Sequence, residues 1–229
     1  MSKQGVVIQG PTNFYKEVCE TWEGWPNVVW STWDDEPQEN IDYIRSKNID
    51  VLLNKKPEFA GYLNINYQLL STFNGLQFLQ ARGIKEALKT RGDHTISSVK
   101  DFLESLSGRR ICFLALSNVD VRKDITYELE YIHEGHDYPS DNLIYGNIDD
   151  MLMMFNFQTD KIYNIPPEAM IVYNYMVSMG IKFDLDFNYL LRNGVSFVLR
   201  DCINKGIKIH WLKHNKELIQ SYDNEEFKF

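Results

Sequence analysis

Apolar residues along this chain come in two rhythms that take turns. Val6-Val7-Ile8 followed by Gln9-Gly10-Pro11 is a short apolar run ended by Gly-Pro, which predicts a buried first strand and a sharp exit turn. Thr12 or Asn13 then stands where a helix cap belongs, ahead of Phe14, Val18 and Trp22 at helical spacing. Asn27 to Trp33, β-branched and aromatic, predicts a second strand that empties into Asp34-Asp35-Glu36-Pro37. Asp50 to Asn54 predicts a third, closed by Lys55-Lys56-Pro57. Ile65, Leu69, Phe73, Leu76 and Leu79 mark the longest helix, between Tyr62 and Arg82, with Asn64, Gln68 and Ser71 on another face. Ile84 to Thr90 is the fourth strand.

The second half continues the alternation less regularly. Ser98-Val99-Lys100-Asp101 fits a capping box in its acidic variant, and Val99, Phe102, Leu103 and Leu106 form a buried stripe that stops at Gly108. Arg109 to Leu116 predicts a fifth strand. The polar span Ser117 to Asn142 follows no period, and a loop of that length in a compact domain is often a substrate-facing one. Leu143 to Gly146 resumes as strand, Asn147 to Asp150 caps a helix over Met151 to Phe155, and Pro166-Pro167-Glu168 opens another through Ile171, Tyr175 and Met179. Further helix is expected between Asp186 and Ile203, interrupted near Asn193-Gly194. Ile207 to Trp211 should be a last strand, and Tyr222 to Phe229 a frayed tail. Strands and helices alternating in this way predict an α/β fold, a Rossmann-like mixed sheet flanked by helices.

The 229 residues, 44% hydrophobic and 14% aromatic, suffice for one sizeable core, so residues 1–229 are expected to form a single domain. With 24 Lys and Arg against 32 Asp and Glu, the net charge of −8 argues against nucleic acid and anionic membranes as partners. Cys19, Cys112 and Cys202 lie far apart among apolar neighbours and read as reduced core thiols. No secretory signal and no membrane-spanning run is visible, which predicts a soluble, cytoplasmic protein.

The candidate chemistry centres on Glu86 to Ile96, where a buried strand runs into Lys89-Thr90-Arg91-Gly92-Asp93-His94. Open α/β sheets place their ligands at such strand ends. Asp93 is the candidate metal or diphosphate ligand, and Gly92 would let backbone approach the ligand closely; the plainer reading is a helix cap or a solvated turn. Gln9-Gly10-Pro11-Thr12 could hold a nucleotide through a turn amide and a side-chain amide, or be simply a strand-to-helix turn. Absence of Gly-x-Gly-x-x-Gly and Gly-Lys-Ser/Thr disfavours dinucleotide oxidoreductases and P-loop enzymes. Asp141 is either a base toward an acceptor hydroxyl or an Asx turn. His210, alternating with Ile207 and Ile209, is either a second metal or phosphate ligand or a structural histidine.

Five short motifs, taken in order, carry a resemblance: Val7-Ile8-Gln9-Gly10-Pro11; Trp30-Ser31-Thr32-Trp33; Asn64-x-Asn66-x-Gln68 with Ser71-Thr72 and Gly75-Leu76; Lys89-Thr90-Arg91-x-Asp93; and Ser140-Asp141 with Tyr145-Gly146-Asn147. Together they resemble the WavE-type lipopolysaccharide-synthesis glycosyltransferases and the related enzymes that chlorella viruses encode to decorate their capsid protein. The resemblance implies a GT-A fold and a metal-dependent transfer of sugar from a nucleotide-diphosphate donor, with a UDP-sugar favoured, to a glycan or glycoprotein hydroxyl in the (host) cytoplasm. It implies Mn²⁺ or Mg²⁺ as cofactor, since hard oxygen ligands can hold a cation that neutralises the leaving diphosphate. Residues 1–96 would form the nucleotide-binding half and residues 97–229 the acceptor-binding half. Mapped on the resemblance, Gln9, Gly10, Pro11 and Thr12 fall at the nucleotide pocket, Asp93 in the place of the metal-binding acid and Asp141 on the acceptor side; Asn66, Lys89 and Arg91 are further nucleotide candidates, His210 a further metal candidate and Glu168, from loop length alone, a further acceptor candidate, with Asp141 and Asp93 catalytic. One departure stands out: Arg91 occupies the place of the first acid of the DxD motif. A sugar-nucleotide pyrophosphorylase and a non-catalytic glycan-binding module are the alternatives, the second because aromatic faces pack on sugars as well as filling cores.

Overall fold

The computed structural model of the protein describes residues 4–114, 116–118, 137–159, 167–180, 195–197, 202 and 204–218. In chain order its elements are β1 (Gln4–Gln9), α1 (Tyr15–Trp22), β2 (Val28–Trp33), α2 (Gln38–Ser46), β3 (Asp50–Asn54), α3 (Ile65–Ala81), β4 (Glu86–Arg91), β5 (His94–Ile96), α4 (Val99–Leu106), β6 (Ile111–Phe113) and β7 (Leu116–Asn118). There follow β8 (Asp137–Pro139), β9 (Ile144–Asn147), α5 (Ile148–Phe155), α6 (Pro167–Ser178), β10 (Val195–Phe197), β11 (Ile209–Trp211) and β12 (Lys216–Glu217).

Seven strands make the main sheet in the order β10-β6-β9-β4-β1-β2-β3. β9 runs antiparallel to both of its neighbours, β4 and β6, while the other pairings are parallel. This is the mixed α/β sheet flanked by helices that the sequence predicts. Its central strands β1 and β2 are buried on both faces because both are covered, whereas the edge strand β3 is only partly buried. Val6, Ile8, Val28, Trp30 and Leu88 pack on α1, α2 and α4, whereas Val7, Val29, Ala87, Ile111 and Ile144 pack on α3, α5 and α6. Gly75 brings α3 hard against β1, since a Cβ there would stand 2.5 Å from the Val7 side chain. A small second sheet, β12-β11-β5, is antiparallel and joins the chain's late segment to the exit of β4.

Several local expectations change. α2 was not foreseen, although Asn40, Ile41 and Ile44 bury one face behind Pro37. The capping box at Ser98 does not form: Ser98 is left-handed (φ +51) with no side-chain cap, and the hydroxyl of Ser97 instead accepts the Lys208 amide. Neither Thr12 nor Asn13 caps α1, whose N-cap is Phe14. Asn147 does cap α5, accepting the Asp149 amide at 2.9 Å, and α6 begins at Pro167 as expected. Within the span 186–203, read as helix, residues Val195–Phe197 form a strand beside β6. The polar span contributes β7 and β8, paired antiparallel at its two ends; its middle, most of 186–203 and the tail from 219 lie outside the described residues. Among the described residues no helix is long and apolar enough to cross a membrane.

Because β9 is antiparallel, its beginning lies at the same edge of the sheet as the carboxyl ends of β1, β2 and β4. Residues before β9, including Asp141, therefore meet the exits of β1 and β4.

Candidate functional site

The exit of β1 is tied down by its own polar groups. Gly10, at φ +106, donates its amide to Ser31 O at 3.2 Å and accepts the Trp30 indole at 3.0 Å. Thr12 donates both its amide (3.1 Å) and its hydroxyl to Glu36 Oε2, and the same hydroxyl accepts from Asn40 at 2.9 Å. Pro11 has no N–H to give. The Gly10 and Thr12 amides, either of which could be the turn amide expected to hold a nucleotide, are thus already used. What faces outward is the exposed Pro11 ring and the partly exposed Gln9 side chain.

β4 delivers the charged groups to this edge. The Gly92 amide donates to Gln9 O at 2.8 Å, and a Cβ on Gly92 would lie 2.5 Å from Pro11 O and 3.0 Å from the Trp30 ring. The close approach foreseen at this glycine is therefore made by the chain itself. Lys89 and Arg91 alternate with Leu88 and Thr90 and share the face of Ala87, the α3 side. Lys89 is fully buried, and its ammonium donates to the backbone O of Asp141. Burial pulls it down to about 8 despite the attraction of Asp141. Arg91 forms a two-point pair with Asp93, Nε to Oδ1 at 2.9 Å and Nη2 to Oδ2 at 3.0 Å, and Trp211 Nε1 adds a third bond to Oδ2 at 2.8 Å. Burial works against the Asp93 carboxylate, but the Arg91 and Trp211 bonds prevail and hold it down to about 2.

Asp141 closes the cluster from the β9 side. One carboxylate oxygen accepts from Gln68 on α3, and the side chain is almost wholly buried. Glu168, in the first turn of α6, is partly buried close enough to feel Asp141: desolvation first, then that neighbour, raise its carboxyl far above the ordinary carboxylate range. The two acceptor-side candidates therefore do come together, and with Lys89 and Arg91.

The small sheet supplies a part that the sequence reading missed. His94, Trp211 and Lys216 lie directly opposite one another on β5, β11 and β12 and so form one row. Arg91 stands 5.1 Å and Lys216 5.5 Å from the centre of the Trp211 ring, and the His214 ring packs on it at 4.1 Å. His94 is fully buried with neither ring nitrogen hydrogen-bonded among the described residues, and burial with the Arg91 charge keeps it well below the usual histidine range. His210 alternates with Trp211 and so points away from this row, toward the side of Thr95 and Glu217. Asp93 and His210, paired in the sequence reading as metal ligands, do not converge. The alternation itself held the signal: Trp211 and Lys216, not His210, take the parity that faces Asp93.

A divalent cation needs oxygen ligands with lone pairs to spare. Both Asp93 oxygens are held by Arg91 and Trp211, Arg91 puts a fixed positive charge beside them, and no group of three or more possible ligands occurs among the described residues. The described residues around Asp93 do not fit Mn²⁺ or Mg²⁺.

Three of the expected nucleotide contacts are supports. Thr12 and Lys89 have no exposed surface, and Asn66 is nearly buried with its side chain spent on Phe59 O (3.0 Å), Thr159 O (2.7 Å) and the Thr159 amide (2.9 Å). Gln9, Pro11 and Arg91 retain surface that a ligand could meet.

No family model matches the chain, and no curated protein matches it. Among solved structures it is similar to a cytidylyltransferase from Leptospira borgpetersenii (11% identity over 86% of this chain and 76% of that one, TM-score 0.46). It is also similar to the galactosyltransferase LgtC in complex with donor and acceptor sugar analogs (13%, 85% and 72%, TM-score 0.45). A third is a putative glucose-1-phosphate thymidylyltransferase from Bacillus anthracis (10%, 85% and 85%, TM-score 0.42).

Proposed function

We propose that the protein is a GT-A-type glycosyltransferase, of the WavE and chlorella-virus kind that its motifs resemble, moving a sugar from a nucleotide-diphosphate donor to a glycan hydroxyl. A UDP-sugar is the favoured donor, and a capsid glycan or surface polysaccharide the acceptor. One observation carries the reading: Arg91, Asp93, Asp141 and Glu168, from three separated parts of the chain, gather at the carboxyl edge of a mixed α/β sheet, around a buried lysine. Burying that many charges together is costly and is a mark of functional sites.

In the transfer, the acceptor hydroxyl oxygen bonds to the anomeric carbon as the bond from that carbon to the phosphate oxygen breaks. Its electron pair leaves on the nucleoside diphosphate, and the hydroxyl proton passes to a carboxylate. Burial and the neighbouring Asp141 favour the protonated form of Glu168, and the reading gives the base to Asp141, with Gln68 and Lys89 as the groups that position it. No divalent metal enters these steps, because the donor set around Asp93 does not suit one.

The test is release of UDP or GDP from a panel of nucleotide sugars in the presence of glycan acceptors, for wild type and Asp141→Asn. Loss of a base slows transfer on the order of 10²–10⁴-fold, while the variant should still bind the nucleotide. Wild-type turnover in Asp141→Asn would remove Asp141 from the chemistry, and a folded wild-type protein that binds neither UDP nor GDP would end the transferase reading.

A further inference from the structure

We infer that the donor's diphosphate is held without a divalent metal, by the Arg91 guanidinium and the Lys216 ammonium gathered on the Trp211 ring. This rests on the nucleotide-diphosphate reading above and names the groups that grip the ligand.

Elimination narrows the possibilities first. A phosphate at a strand end is commonly held by free backbone amides or by a carboxylate-bound cation. Here the Gly10 and Thr12 amides are spent on Ser31 and Glu36, Pro11 has none, and the Gly92 amide is spent on Gln9. The carboxylate of Asp93 is held at both oxygens. A divalent ion would have to displace Arg91 from that carboxylate and then sit beside the displaced guanidinium.

Among the described residues, what remains at this edge is cationic and accessible. A guanidinium has five N–H donors; Arg91 spends two of them on Asp93, and the other three have no partner among the described residues. Its side chain is 27% exposed, whereas the neighbouring Lys89 has no surface at all. The two-point bond to Asp93 fixes the guanidinium plane in advance, so little conformational freedom is lost when a phosphate docks on its free edge. Lys216 is exposed, lies in the same row as Trp211, and has no carboxylate partner among the described residues. Lys213 and His214 follow on the adjoining turn. In a chain of net charge −8 this sets Arg91 and Lys216 together against the Trp211 ring, which itself donates to Asp93.

Asp93 then acts as a positioning residue, and its carboxylate orients the cation that touches the diphosphate. This accounts for Arg91 standing where the first acid of a DxD motif would be.

The test is calorimetric titration of the wild-type protein with UDP and with GDP, each in excess EDTA and in excess MnCl₂, with Arg91→Gln and Lys216→Gln in parallel. Binding of one nucleotide with dissociation constants that agree within about twofold in the two buffers is the expected result. A charge-assisted hydrogen bond is worth enough that each substitution should weaken binding on the order of tenfold or more. Lys216 is exposed and its substitution leaves the core untouched, so the prediction does not hang on the folding of the Arg91 variant. Binding seen only with MnCl₂ overturns the metal-free grip and leaves the nucleotide reading standing. Unchanged affinity in both variants overturns it too, and absence of binding in both buffers overturns both readings.

Discussion

Replacing Lys89 by Met would isolate the cost of the buried charge at the heart of the cluster. The Lys89 ammonium has no exposed surface, and burial brings it from its ordinary 10.5 to about 8. That gap corresponds to about 3 kcal/mol of stability given up whenever the folded protein must carry the charge. Below pH 8 lysine is charged in both states and the full cost applies. As pH rises from about 8 toward 10.5, the folded state releases its proton while the unfolded chain keeps one, so the wild type gains stability over that window. Met removes the charge at every pH, fills a similar volume, and leaves Asp141 O without its donor, a loss of about 1–3 kcal/mol. The two effects nearly cancel or slightly favour the Met variant at pH 7. By pH 10 the balance should favour the wild type, a swing of about 3 kcal/mol in the difference between them. Urea unfolding of both proteins at intervals from pH 7 to pH 10 measures that difference directly, and other alkaline titrations are common to both and drop out. A difference that stays constant over this range would refute the buried-cation account.

Gly92→Ala should destabilise by about 1–3 kcal/mol, since the new methyl meets a backbone oxygen and an indole that cannot both yield; thermal unfolding checks it, and a melting temperature equal to wild type would show that the β1 and β4 exits are looser than described. Glu168→Gln tests the raised carboxyl. A folded value above the unfolded one means stability that is present in acid and is lost as pH rises through the folded value, by up to about 1.4 kcal/mol per pH unit. The Gln variant should not share that decline, so parallel stability profiles of the two proteins between pH 5 and pH 9 would count against it.

The sheet was legible because the central strands carry short buried apolar or β-branched stretches between turn residues, β1 with Val6-Val7-Ile8 and β2 with Val28-Val29-Trp30 above all. β1, β2, β3 and β4 fall where Val6-Val7-Ile8, Val28 to Trp33, Asp50 to Asn54 and Ala87-Leu88 place them. α3 was visible from Ile65, Leu69, Leu76 and Leu79 for the complementary reason. α2 was hidden: only Ile41 and Ile44 mark its buried face, and its third buried position, Asn40, is polar because it serves Thr12. Ser98 misled because a capping box is a local pattern, whereas the left-handed turn there follows from a distant partner. Ser97 is drawn to the Lys208 amide of the segment leading into β11, and no window around residue 98 contains that segment.

The site was legible in composition and illegible in pairing, and the reason is physical. A buried carboxylate, a lysine and an arginine near one strand end announce a polar centre, since such groups are rarely buried without purpose. Which of them faces a ligand depends on who neutralises whom. Asp93 looked like a metal ligand because sequence shows one carboxylate and not the guanidinium two residues earlier folded back on it. Once that pair forms, the group with bonds to spare is the cation. The same logic moves the late contribution from His210 to its neighbour: with a two-residue period, one step along β11 changes which face a side chain occupies, and the face toward Asp93 belongs to Trp211 and, across the ladder, to Lys216. With Arg91 and Trp211 already on the Asp93 carboxylate, the groups at this edge with donors to offer an anionic ligand are Arg91 itself and Lys216 beyond the Trp211 ring.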